Sequence, residues 1–125
     1  MANNFNAPSK EAQVEALVHG RAYKLLSDVF DAEYFTDGMY KEVFTVNKTE
    51  VLEYVRNHYS LKALVYMKAG TDDGLYIIPR PFGGFDGYYQ EREIKMDHKQ
   101  LKSENEAWGY YVQYILDTSG TGLKF

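Results

Sequence analysis

The sequence contains no cysteine. Disulfide frameworks, thiolate zinc sites, iron–sulfur clusters and cysteine nucleophiles are therefore excluded, and the composition suits a reducing compartment. No apolar run approaches the ~20 residues that span a bilayer, and the opening stretch "MANNFNAPSKEAQ" lacks the basic flank and apolar core of a secretory signal. The expected location is cytoplasmic, with no membrane partner. Positive charge is also sparse: 14 Lys and Arg against 18 Asp and Glu leave a net charge of -4, with no basic block in the chain. A grip on nucleic acid needs clustered cations that displace counterions, so no sequence-specific nucleic-acid partner is expected.

Catalytic signatures are missing as well. There is no G-x-S-x-G elbow, no H-E-x-x-H pair, no Walker lysine loop and no G-x-G-x-x-G. His19, His58 and His98 lie in separate segments, none with a second histidine at metal-ligand spacing, which predicts surface or capping roles. No metal site and no cofactor are predicted. The acidic pairs Asp31-x-Glu33 and Asp72-Asp73 read as solvated loops; Phe35 occupies a position that an EF-hand would give to a ligand.

What is present is apolar and aromatic. With 45% apolar and 16% aromatic residues, the chain has ample material for a packed core and lies outside the range in which chains stay disordered. Its 125 residues suit a single domain over 1–125, with the Asn-rich residues 1–7 as a loose tail. After Pro8, Ser9 can cap a helix and Glu11 suits its first turn; apolar residues from Val14 to Phe30 recur at helical spacing, which predicts one helix to about residue 30. Asp37-Gly38 between aromatic runs predicts a hairpin turn, with a strand over Tyr40–Val46. "NKTE", Asn47 to Glu50, has the spacing of a capping box and predicts a second helix to about His58.

From Lys62 the pattern favours strands. "KALVYMK" and "LYIIP" predict two, the second central because Leu75–Ile78 is apolar on both faces. Tyr88–Met96 predicts another long strand. In "SENEAWGYYVQYILDTSG", Ser103 and Glu106 have capping-box spacing, but Gly109 and the β-favouring Tyr, Val and Ile residues predict a strand over 108–117. The fold class is then α+β: two helices in the N-terminal half packed on a mostly antiparallel sheet of about four to five strands.

The segment "IIPRPFGGFDGYYQER", residues 77–92, concentrates the unusual residues. Pro79 and Pro81 restrict the backbone on either side of Arg80, which aims its guanidinium. Phe82 and Phe85 flank Gly83-Gly84, Asp86-Gly87 is the predicted reversal, and Tyr88, Tyr89 and Arg92 follow on the returning strand. Arg80, Phe82, Phe85, Tyr88, Tyr89 and Arg92 are the candidate binding residues. The twelve tyrosines add contact area at low entropic cost.

Three function classes are compatible with these residues. The first is a small non-enzymatic binding protein, an inhibitor or immunity-type modulator that engages a protein partner through an aromatic and arginine surface. The second is a binder of a small anionic, nucleotide-like ligand held by Arg80, Arg92 and the phenylalanines, with a homodimer interface as one setting. The third is an enzyme with a dispersed carboxylate or tyrosine site.

Overall fold

The computed structural model describes residues 8–30, 32 and 34–125, so the expected tail at 1–7 lies outside the described residues. The chain is α+β. In order it forms α1 (Lys10–Val18), α2 (Ala22–Val29), α3 (Asp37–Val43), α4 (Lys48–His58), β1 (Gly74–Pro79), β2 (Phe85–Glu91), β3 (Ile94–Leu101) and α5 (Glu104–Asp117), with a 3-10 turn at Leu61–Ala63. It divides into two compact units. One holds the described residues up to Val55 together with Gln113–Phe125, the other Arg56–Val112, and the division falls inside α4 and α5.

In the first unit, capping chemistry sets the helices. The Ser9 hydroxyl accepts from the Ala12 N–H at 3.1 Å and starts α1. The helix expected to continue to residue 30 instead stops at Val18, because Gly20 takes φ +66° and the chain closes with Arg21 N–H donating to Ala16 C=O and Gly20 N–H to Leu17 C=O. This is the paired bonding of a Schellman motif, with glycine at the left-handed position. Tyr40–Val46 is not a strand and Asp37-Gly38 is not a hairpin turn: Thr36 caps α3 by accepting from the Met39 N–H, and Asp37 sits in the first turn. A hydroxyl cap followed by an acidic residue at a helix start outweighs the Asp-Gly turn preference. The Asn47/Glu50 box forms as expected, with Glu50 N–H donating to Asn47 Oδ1 at 2.8 Å and Asn47 N–H to Glu50 Oε1 at 3.0 Å. Lys10 pairs with the same carboxylate and, with the Asn47 N–H, holds the Glu50 carboxyl below its ordinary range.

Gln13 joins these pieces. It is 1% exposed, its Oε1 accepts from the backbone N–H groups of Thr45 and Val46, and its Nε2 donates to Pro8 C=O and Thr45 Oγ1. The extended segment after α3 thereby finds side-chain partners in place of a strand neighbour. Val14, Leu17, Leu26, Val43, Val51 and Val55 are buried in this half of the chain.

The second unit is built on a three-stranded antiparallel sheet of order β1-β2-β3, fewer strands than the four to five expected. "KALVYMK" supplies no full strand. It opens in the 3-10 turn and contributes one parallel bridge, Tyr66 to Tyr76, with Tyr66 N–H donating to Leu75 C=O and Ile77 N–H to Tyr66 C=O. Leu75–Ile78 therefore lies in an outer strand, not a central one. The strand expected over Tyr88–Met96 is broken by a two-residue reversal at Arg92-Glu93, where both residues take positive φ, +51° and +65°. That backbone is the one a type I′ hairpin turn requires, adopted without the usual Asn-Gly.

The segment 108–117 is helix, not strand, and lies within α5. Ser103 Oγ accepts from the Glu106 N–H at its start, and Ala107, Trp108, Tyr111, Val112, Ile115 and Leu116 are buried at helical spacing. The burial of that stripe outweighs the β preference of the aromatic residues and the cost of Gly109. With α1, α2, α3 and α4 there are, among the described residues, four helices before the sheet, where two were expected.

Candidate functional site

One face of the sheet carries Leu75, Ile77, Gly87 and Leu101, and α5 lies on it closely enough that a Cβ on Gly87 would stand 2.8 Å from Tyr110 Cε2. On the other face a ladder of rings crosses the strands. Tyr66 stacks on Tyr76 (centroids 4.9 Å apart) and Tyr76 on Tyr88 (5.0 Å), close to the ordinary spacing of neighbouring strands, and Lys95 Nζ stands 4.9 Å over the Tyr88 ring. His98 is beside Tyr88 because β3 carries an extra residue: the register shifts between Gly87 and Tyr89, and Asp97 takes φ +54° at this bulge.

The two inner tyrosines differ at their hydroxyls. Tyr76 donates to Asp72 C=O at 2.7 Å and accepts from the buried Gln90 Nε2, which also donates to Gly70 and Asp72 C=O. The Asp72-Asp73 loop is thus tied down by backbone acceptors, and Asp73 Oδ1 accepts the Arg92 N–H at 2.8 Å. The Tyr88 hydroxyl is buried and has no hydrogen-bond partner among the described residues. Burial raises both phenols above their ordinary value, with Asp72 as the next cause at Tyr76 and Asp86 at Tyr88.

The reversal lies at Arg80–Gly84, not at Asp86-Gly87, which pair within β2 against Ile78 and Ile77. Arg80 N–H donates to Gly84 C=O at 2.9 Å and Gly83 N–H to Arg80 C=O at 3.2 Å, with Pro81 in the second turn position, which its fixed φ suits. Gly84 must lack a side chain: at φ +77°, a Cβ would stand 2.6 Å from Leu101 O. The turn is therefore seated against the end of β3, and at its tip Phe82 is fully exposed, at 102%. Arg80 Nε lies 3.9 Å from Asp86 Oδ2, and His98 Nε2 lies 3.4 Å from the other oxygen of the same carboxylate. Both pairs are more than a third exposed and add little stability.

The six candidate residues are therefore divided. Arg80, Phe82 and Phe85 lie at one end of β2 and Arg92 at the other, roughly 20 Å away at the strand rise. Tyr88 belongs to the ring ladder, Tyr89 points to the opposite face by strand alternation, and Phe85 is half-buried between Pro79 and Leu101 in the register. Residues that the sequence reading did not place among the binding candidates are Tyr66, Lys95 and His98 on the ladder, and Ile94 and Met96 on β3. For those on β3 the signal, alternation in a second short strand, is hidden by the Arg92-Glu93 turn.

Among the described residues no three His, Asp or Glu side chains group as metal ligands, and no helix is long and apolar enough to cross a membrane. Asp31 and Glu33 lie outside the described residues. Compared with known proteins, the chain matches no family model, no curated protein and no solved structure.

Proposed function

We propose that this chain is a non-enzymatic binding protein of the inhibitor or modulator kind, and that the Arg80–Gly84 turn contacts a protein partner through Phe82. The observation that carries this reading is the full exposure of the Phe82 ring at the tip of a turn that its own hydrogen bonds and prolines hold in shape. Burying a phenylalanine is worth about 1.5–3 kcal/mol, and here folding gains none of it. A pre-ordered turn also pays little entropy on association, and aromatic anchors dominate interface energies. Arg80, beside the ring in sequence and half-paired with Asp86, can exchange that weak partner for an acidic group. The reading includes a cytoplasmic setting, in keeping with the cysteine-free sequence.

The test is affinity capture from the source cells with the native chain and a Phe82→Ala variant in parallel, followed by quantitative mass spectrometry. The expected result is a partner retained by the native chain and lost by the variant, at equal melting temperature because Phe82 touches no core. Recovery of the same partner in equal amount by both, or of none by either, refutes the reading.

A further inference from the structure

The outer side of β3 has no strand beside it among the described residues, and seven of its eight residues, Ile94 to Gln100, are exposed. A two-residue loop closes on a hydrogen-bonded pair, here Glu91 and Ile94, so Lys95 turns its N–H and C=O outwards. Next to this edge, Ile94 (64% exposed) and Met96 share a face with Glu91 and, with Arg92, line a hollow of about 330 Å³. Helix α5 covers the same face at Gly87, and its Tyr110 hydroxyl reaches β3 at Asp97 C=O, leaving Ile94 and Met96 uncovered. The strand itself is also basic within an acidic chain: Lys95 and Lys99 against Asp97, with Glu93 before it and Lys102 after it.

We propose that β3 receives an extended, acidic segment of a partner protein as a fourth strand. An apolar side chain of that segment sits on Ile94 and Met96, and its carboxylates meet Lys95 and Lys99. Main-chain bonds along a sheet edge supply affinity, and side-chain pockets and charges select the sequence. The same lysines disfavour a second copy of this chain, since edge-to-edge pairing would bring two basic rows together. The bulge at Asp97 interrupts the edge, which suits a short segment and opposes stacking into longer sheets. The proposal does not require Phe82 to take part.

The test is selection of random linear phage-displayed peptides on the full chain, followed by binding and amide-exchange measurements with the winning peptides in synthetic form. Expected are acidic sequences rich in β-branched residues that slow exchange at Lys95 and lose binding when alternate peptide nitrogens are methylated. Lys99→Glu should weaken binding about tenfold, as expected when a cross-strand attraction becomes a repulsion, and a Glu→Lys exchange in the peptide should restore it. Lys99→Glu folding is checked by an unchanged melting temperature, and the methylated peptides provide the same test on the native chain. Basic, proline-rich or helical winners, protection away from β3, indifference to the charge exchange, no enrichment, or self-association through β3 in sedimentation would each overturn the proposal.

Discussion

Replacing Tyr88 by phenylalanine removes one oxygen from a ring that is 3% exposed and stacked on Tyr76. That oxygen is buried without a partner among the described residues, whereas an unsatisfied buried polar group costs about 1–3 kcal/mol. Phenylalanine keeps the stack and the Lys95 contact and does not bear that cost, so Tyr88→Phe should raise stability by about 1 kcal/mol, or about 3–5 °C in Tm for a chain of this length. Tyr76→Phe should do the opposite, because its hydroxyl bonds Asp72 C=O and Gln90. Urea unfolding at neutral pH measures both, with unchanged m-values showing that only stability has moved. A pH series adds a second readout. The folded state holds the Tyr88 phenol above its ordinary value, so the folded chain keeps that proton where the unfolded chain loses it. Stability is then unaffected below about pH 10 and falls as pH rises through the folded value, so the advantage of Tyr88→Phe should widen on the alkaline side. A Tyr88→Phe protein less stable than the native chain at neutral pH would refute the reasoning and show that the hydroxyl is hydrogen-bonded in solution.

The Arg92-Glu93 turn holds two non-glycine residues at positive φ, so an Asn-Gly replacement should raise Tm, by about 1 kcal/mol in stability, while keeping the backbone N–H that Asp73 accepts; a lower Tm would count against a strained turn. Gln13→Leu should cost about 2–4 kcal/mol in urea unfolding, since it strands the Thr45 and Val46 N–H groups; a loss under about 1 kcal/mol would show that the clamp is dispensable. Gly87→Ala should lower stability by about 1–3 kcal/mol because its Cβ meets Tyr110 and Leu101 side chains at 2.8–3.1 Å, and trimming the ring in Gly87→Ala/Tyr110→Ala should recover part of that loss in a double-mutant cycle.

Local side-chain chemistry made some of the fold legible. Ser9 and the Asn47/Glu50 box were readable because a cap needs only a donor or acceptor three residues away. Gly20 was an equally local signal, overlooked because the apolar stripe continues across it. In α5 the spacing of Ala107, Trp108, Tyr111 and Val112 was helical, and residue preference obscured it. The Arg92-Glu93 reversal had no signal, since neither residue favours positive φ. At the candidate site the sequence picked out the unusual segment but not its geometry. Whether Phe82 turns inwards depends on contacts with distant residues, and the separation of Arg80 from Arg92 depends on where the chain reverses.

The bulge at Asp97 reconciles two ends of one hairpin that count differently. The loop at Arg92-Glu93 fixes Glu91 opposite Ile94, whereas the far end sets Phe85 opposite Leu101, one residue out of step. Asp97 absorbs the difference, so β3 is one residue longer than the strand it accompanies. Loss of Asp97 would close the ladder with His98 opposite Tyr88 and leave every other side chain on its present face. A deletion at Ile94 would turn over Lys95 and Met96, exchanging lysine for methionine on the two surfaces, and one at Gln100 would turn over His98 and Lys99. Variation in the length of this chain is therefore tolerable at one point of β3, and elsewhere in the strand a missing residue changes which chemistry each face displays.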